Sequence, residues 1–229
     1  MTAQEIYDQF RADTADTAKP YFWSDDDVFR YMDDAYKMFV RLMGGIADFT
    51  SDLTRVDIVA GEAIGVLDAR ILRVMEAYRV SDMGNIKIIN QTDLTFTRDN
   101  DYGQIRPIYL DTTPGAIRYM IIGAERGKCK WVQVPEVNDV AQLYIYRLPV
   151  QKITTGIDPD FAFGEVGEEH HSQFVTWMRH RAYERADAEI YDRGRSLEFK
   201  QFFTDYCKEA KAEWQRYKHK NREVAYGGL

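Results

Sequence analysis

The segment GAERGKC (123–129) sets glycines, a lysine and a cysteine in an order close to that of a phosphate-cradling loop. Its spacing does not serve that chemistry. Three residues stand between Gly123 and Gly127, where four are needed, and Cys129 takes the place of the Ser or Thr that binds magnesium. The segment also falls between two strand-like stretches, so it reads as a hairpin turn. His170 and His171 follow Glu168 and Glu169. Adjacent helical residues point about 100° apart, so the doublet does not converge on one metal and reads as a polar helix start. His180 and His219 have no partner close in sequence. DNDYG (99–103) has acidic spacing without the later Gly and Glu of a calcium loop, and reads as a turn. The chain holds 37 Asp and Glu, enough for a carboxylate pair of the glycosidase kind, but no pair stands out. There is no Gly-x-Ser-x-Gly elbow. Cys129 and Cys207 lack a nearby His and read as small core residues. The expectation is no catalytic residue, no cofactor and no metal site. The alternative, a soluble enzyme or ligand-binding domain with a carboxylate site, requires a concave pocket with converging polar groups.

A second cluster is basic. Lys208, Lys211, Arg216, Lys218, Lys220 and Arg222 interleave with Trp214 and Tyr217. Such a face can touch phosphate, dock in a partner's acidic groove, or simply be solvated. The whole chain carries −7, which argues against a free-standing nucleic-acid binder. The charge is uneven. Residues 1–52 hold 5 Lys and Arg against 11 Asp and Glu, and residues 206–222 hold 6 against 2. Opposite ends of opposite sign suit head-to-tail contact between copies, or docking on a charged partner. Two cysteines are too few for a disulfide scaffold and suggest a reducing compartment. No apolar run reaches the ~20 residues that cross a bilayer. MTAQEIYDQF has neither a basic n-region nor an apolar h-region, so no signal peptide and no membrane partner are expected.

Helices at both ends frame these groups. Thr2 with Glu5 is a capping-box pattern for a short first helix. Ser24, followed by Asp25, Asp26 and Asp27, caps a second helix whose stripe is Val28, Met32, Ala35, Phe39 and Leu42. Gly44 and Gly45 end it. Residues 170–218 read as two long helices joined at Gly194. Phe174, Met178, Ala182, Ala186 and Ile190 line the first, and Phe199, Phe203, Tyr206, Ala210, Trp214 and Tyr217 line the second. Helices of about 22–27 residues would run about 33–40 Å. Between the helical ends, β-rich segments at 56–60, 71–80, 85–90, 116–124, 128–134 and 141–149 are set off by glycines. The predicted fold is α+β: a bundle of long α-helices from both termini with an inserted small antiparallel β domain. Its parts are 1–53 and 150–222 for the helical domain, 54–149 for the β insertion, and 223–229 for a loose tail. The loop 150–167 carries Ile157, Phe161 and Phe163 and is too apolar to hang free.

Three stretches resemble the tailed-bacteriophage head-to-tail adaptor (connector) family. They are FWSDDDVFRYMDDAYKMF (22–39), the strand ending YIYRLP (144–149), and HHSQFVTWMRHRAYERADAEIYD (170–192) with Phe199 and Phe203 after it. They span nearly the whole chain in the family's order. The resemblance implies a dodecameric ring in the virion neck, assembled in the host cytoplasm. It would have the portal protein above and a tail nozzle, tail tube or further connector protein below, and DNA would pass through its lumen. No catalytic residues are implied. The family's C-terminal helix or tail often sets against the portal, and residues 208–229 match that position. The candidate portal-side residues are Trp214, Tyr217, Lys218, Lys220, Arg222 and Tyr226. A stopper or tail terminator is the neighbouring possibility.

Overall fold

The computed structural model describes residues 1–90, 96–98, 105–107, 114–185 and 191–218, with the backbone alone at 96–98, 105–107, 217 and 218. The chain divides into a helical unit, Met1–Gly44 with Pro149–Leu229, and a β unit, Gly45–Leu148.

In the helical unit, α1 (Ala3–Asp13) begins on a complete capping box: Thr2 Oγ1 accepts from Glu5 N, and the Glu5 carboxylate accepts from Thr2 N. Two of the free amides at the helix start are satisfied this way. α2 (Asp25–Met43) starts on Ser24, whose hydroxyl accepts from Asp27 N, with three aspartates in the first turn. It stops at Gly44, which is left-handed at φ 103°. An L-residue with a Cβ pays for that conformation and glycine does not. Val28, Met32, Ala35 and Phe39 of the predicted stripe are buried along α2, while Leu42 at its end is only partly buried. α3 (Ser172–Glu184) packs on α2 and on α4 (Arg193–Lys218). Phe39, Phe174, Trp177 and Phe203 meet ring to ring among these helices, with centroids 5.0–6.4 Å apart. Phe163, from the apolar loop, is fully buried against Tyr36 and Phe174.

The β unit holds β1 (Ile46–Asp48), β2 (Arg55–Ile58), β3 (Ile64–Val66), β4 (Ile71–Arg79), β5 (Lys87–Asn90), β6 (Phe96–Arg98), β7 (Ile105–Pro107), β8 (Tyr119–Ile122), β9 (Lys128–Trp131) and β10 (Asp139–Arg147). Around β10, β1, β2 and β4 form one sheet; β3-β9-β8-β5 is a second; β6 and β7 pair by themselves. Ala141, Leu143 and Ile145 alternate into a core shared with Val56, Ile58, Val74, Met120 and Trp131. Successive strand residues point to opposite faces, so Tyr144 and Tyr146 turn the other way. β4 makes two irregular steps against β10, leaving Met75 and Leu72 without a register partner. Each is an extra residue of a β-bulge.

Two features of the predicted fold are corrected. The first is the bundle of long helices from both termini. The described residues form four α-helices of 11, 19, 13 and 26 residues, and only α4 has the predicted length. α3 stops at Glu184 because Arg185 turns extended, with ψ 126°. Asp192 then restarts the chain. Its N–H donates to Tyr183 O, its Oδ1 accepts from Arg195 N at 3.0 Å, and its carbonyl accepts from Ser196 N at 2.9 Å. Gly194 therefore lies inside the first turn of α4 and is not the joint between the two helices. Ala186 and Ile190 lie outside the described residues. The second is the small antiparallel β domain. Two four-stranded sheets are present, and β5 runs parallel to β8, with Lys87 opposite Tyr119. Alternation marks a strand, but its direction depends on which distant segment it meets.

Candidate functional site

α4 carries the feature that points outward. Phe203, Cys207 and Ala210 hold its inward stripe against α2 and α3. One turn beyond Ala210, which is 6% exposed, Trp214 on the same stripe is 38% exposed. The helix continues to Lys218. Eight residues past Ala210 span about 12 Å, so the last two turns outrun the core they belong to. Tyr217 and Lys218 close the helix. Lys220, Arg222 and Tyr226 lie outside the described residues. Part of the basic cluster has local work: Lys208 pairs with Asp205 at 2.8 Å, and Lys211 Nζ donates to Leu42 O at 3.2 Å, closing the C-terminal end of α2. A cation is favoured there by the helix dipole.

The groups weighed for chemistry do not converge. The 123–127 turn links antiparallel β8 and β9, with Gly123 and Gly127 left-handed and Lys128 paired to Glu125 at 2.7 Å. His170 Nδ1 meets Tyr206 Oη at 2.9 Å, while His171 Nε2 meets Val166 O at 3.0 Å. His180 is buried, held by Ser196 across the break between α3 and α4, and burial lowers its pKa. Burial pushes the Cys129 thiol up to about 11 and the Cys207 thiol up to about 12. Both stay protonated at neutral pH, and the thiol is the unreactive form. Among the described residues, no three His, Cys, Asp or Glu side chains form a metal-binding group. DNDYG and His219 lie outside the described residues.

Two open grooves lie among the described residues. One is lined by Asp27, Arg30, Tyr31, Arg181, Glu184 and Arg185. Its arginines are all matched: Arg30 and Arg185 to Asp27, Arg181 to Glu184 and Asp34. The other is lined by Arg79, Gly84, Asn85, Lys87, Arg118 and Tyr119.

Sequence reasoning missed two buried ion pairs. Arg11 binds Asp16, donates to Trp23 O and to Asp25, and lies over the Tyr21 ring. It ties the end of α1 to the start of α2. Asp48 binds buried Arg147 and accepts from Thr50 N, Ser51 N and Ser51 Oγ. Burial alone would raise the Asp48 carboxyl; hydrogen bonds from Ser51 and Arg147 win and hold it well below the usual carboxylate range. No local signal marks either pair, since the partners are not at helical or strand spacing.

A scaffold of packed helices and sheets, with an overrunning aromatic helix, suits a protein that binds proteins. The sequence profile of the SU10 adaptor protein matches residues 1–224. The chain belongs to the SU10 adaptor family. This is a bacteriophage head-to-tail adaptor family, so the protein is a structural adaptor and a component of the virion that works against other phage neck or capsid proteins. No curated protein matches the chain. No helix among the adaptor's described residues is long and apolar enough to cross a membrane.

Proposed function

We propose that this SU10-type adaptor forms a ring of identical copies that joins the portal to the tail, carries DNA through its lumen and catalyses no reaction. The observation that carries the reading is the overrun of α4, which leads Trp214 out of the core at 38% exposure and on toward Tyr217, Lys218, Lys220, Arg222 and Tyr226. Buried aromatic anchors dominate most interfaces, and a helix end that supplies one beside basic side chains suits the portal side. Heterologous contacts between copies close into a ring when the rotation allows, and each added copy makes its next contact at high effective concentration. The surplus of carboxylates keeps phosphate from sticking in a lumen at distances within about 8 Å, the screening length in physiological salt. A tail nozzle, tail tube or further connector would sit on the opposite side.

The test is to mix purified adaptor with portal rings and image the product by electron microscopy. Rings of density added in fixed stoichiometry support the reading. No stoichiometric binding across a range of salt overturns it. A lumen lined by Lys and Arg in the assembled particle would overturn the part of the reading that concerns DNA passage.

A further inference from the structure

The groove of the β unit is a place where positive charge gathers in an acidic protein. Arg79 forms its wall. Its Nε and Nη2 grip the Asp82 carboxylate at 2.9 and 2.7 Å, and its Nη1 donates to Ile117 O at 2.5 Å. Gly84 is packed against this guanidinium so closely that a Cβ would fall 2.1 Å from Nη2. Arg79 is therefore spent on structure. Lys87 and Arg118 are not. Lys87 N donates to Arg118 O at 2.8 Å, with Lys87 opposite Tyr119 in the parallel β5–β8 pair, and both cations line the groove. Both are exposed, and among the described residues neither side chain pairs with a carboxylate. Asn85 and Tyr119 complete the groove.

α4 displays the opposite surface. Glu198, Phe202, Asp205 and Glu209 recur at steps of four, three and four, so they form one outward stripe. Phe202 is 57% exposed at its centre. Glu198 and Glu209 have no cation partner among the described residues, while Asp205 is held by Lys208. An exposed ring flanked by two unspent carboxylates matches a groove with two unspent cations and an aromatic edge.

We infer that the Glu198–Phe202–Glu209 stripe of one copy docks in the Lys87–Arg118 groove of a second copy, as a heterologous contact. Carboxylates spaced along a helix suit the groove better than a continuous phosphate chain. Asp82 grips Arg79, and Asp139 is near enough to act on it. Both would repel a polyanion, and discrete carboxylates can step around them. The inference rests on the proposed ring and supplies one contact from which it closes.

The test mixes two full-length chains, one Asn85→Cys in the groove and one Gln201→Cys beside Phe202, which leave the four proposed charges in place, and adds a short bismaleimide. Native Cys129 and Cys207 are buried with raised pKa values and stay silent. Because each chain carries one new thiol, a link between the two variants reports contact between copies and not within one. The expected result is a covalent heterodimer in at least tenfold excess over an Asn85→Cys and Glu62→Cys control, lost when Arg118→Glu is added. Circular dichroism checks that Arg118→Glu keeps its fold. A yield equal to the control overturns the inference, as does duplex DNA binding that Arg118→Glu abolishes while the link does not form. If adaptor still rings on the portal when the link fails, only this contact falls. If no ring forms on the portal, the ring reading falls, and a surviving link still supports contact between copies.

Discussion

Arg11→Met should be among the most damaging single changes outside the apolar core. The Arg11 and Asp16 side chains are 5% and 1% exposed. Methionine keeps the stem and removes the head, which ends the bonds to Asp16, to Trp23 O at 2.8 Å and to Asp25 at 2.7 Å. Asp16 is then left with the amides of Phe22 at 2.9 Å and Trp23 at 3.4 Å. Removing one partner of a buried pair strands the other, at about 3–5 kcal/mol. For a chain of this size that lowers the melting midpoint by on the order of 10 °C. The pair is not therefore strongly stabilising overall, because burying two charges costs nearly as much as their attraction returns. This distinction supplies the decisive control. Asp16→Asn in the Arg11→Met background removes the stranded charge and keeps an oxygen for Phe22 N, so it should recover at least about 1 kcal/mol through coupling between the sites. Urea unfolding followed by tryptophan fluorescence measures both. An Arg11→Met cost below about 1 kcal/mol, or an Asp16→Asn change that adds to the damage, refutes the argument.

Three further outcomes are expected. Asp48 has a depressed carboxyl pKa in the folded state, so it contributes stability above the unfolded value of about 4, and that contribution is lost as pH falls through the folded value. Acid unfolding of Asp48→Asn should be less stable at neutral pH and flatter below about pH 4; a parallel shift of the whole curve would contradict it. Gly65→Ala would place a Cβ 2.8 Å from Cys129 Sγ, 2.9 Å from Trp131 Cζ2 and 3.0 Å from Val56 Cγ1. Overpacking of this kind costs about 1–3 kcal/mol, and a melting point unchanged within about 1 °C would show that the core yields more easily. Trp214→Ala should weaken portal binding at least about tenfold and more than Lys220→Ala, with the melt recorded beside it because Trp214 extends the core stripe; equal losses would mean that charge carries the contact.

Local chemistry was legible in the sequence wherever the interaction itself is local. Thr2 and Glu5, Ser24 and Asp27, and the left-handed Gly44 act within a turn of one another, so residue type and spacing already state the outcome. The β-rich segment at 141–149 reads as a strand, and β10 forms over Asp139–Arg147. The spacing carries the α3 stripe past Glu184, where the described helix stops. Phe174, Met178 and Ala182 are buried as expected, but the same spacing cannot reveal that Asp192 N–H caps Tyr183 O and that Ser196 locks His180. The candidate interface was legible only in part. Trp214 looked like a member of the stripe, and its exposure shows that the stripe outlasts the core.

Composition and periodicity by themselves determined that this is a protein of packed helices and strands, acidic at one end and basic at the other, and the resemblance of three stretches to the adaptor family agrees with the profile match over residues 1–224. Tertiary structure alone decided that β5 runs parallel to β8, that Arg11 finds Asp16 and Arg147 finds Asp48, and that Lys87 and Arg118 share one groove. The reason is physical. A cap or a stripe is an interaction over three or four residues, set by helix or strand geometry. A strand's direction, a buried charge's partner and a groove's lining are set by chain segments that meet only after folding.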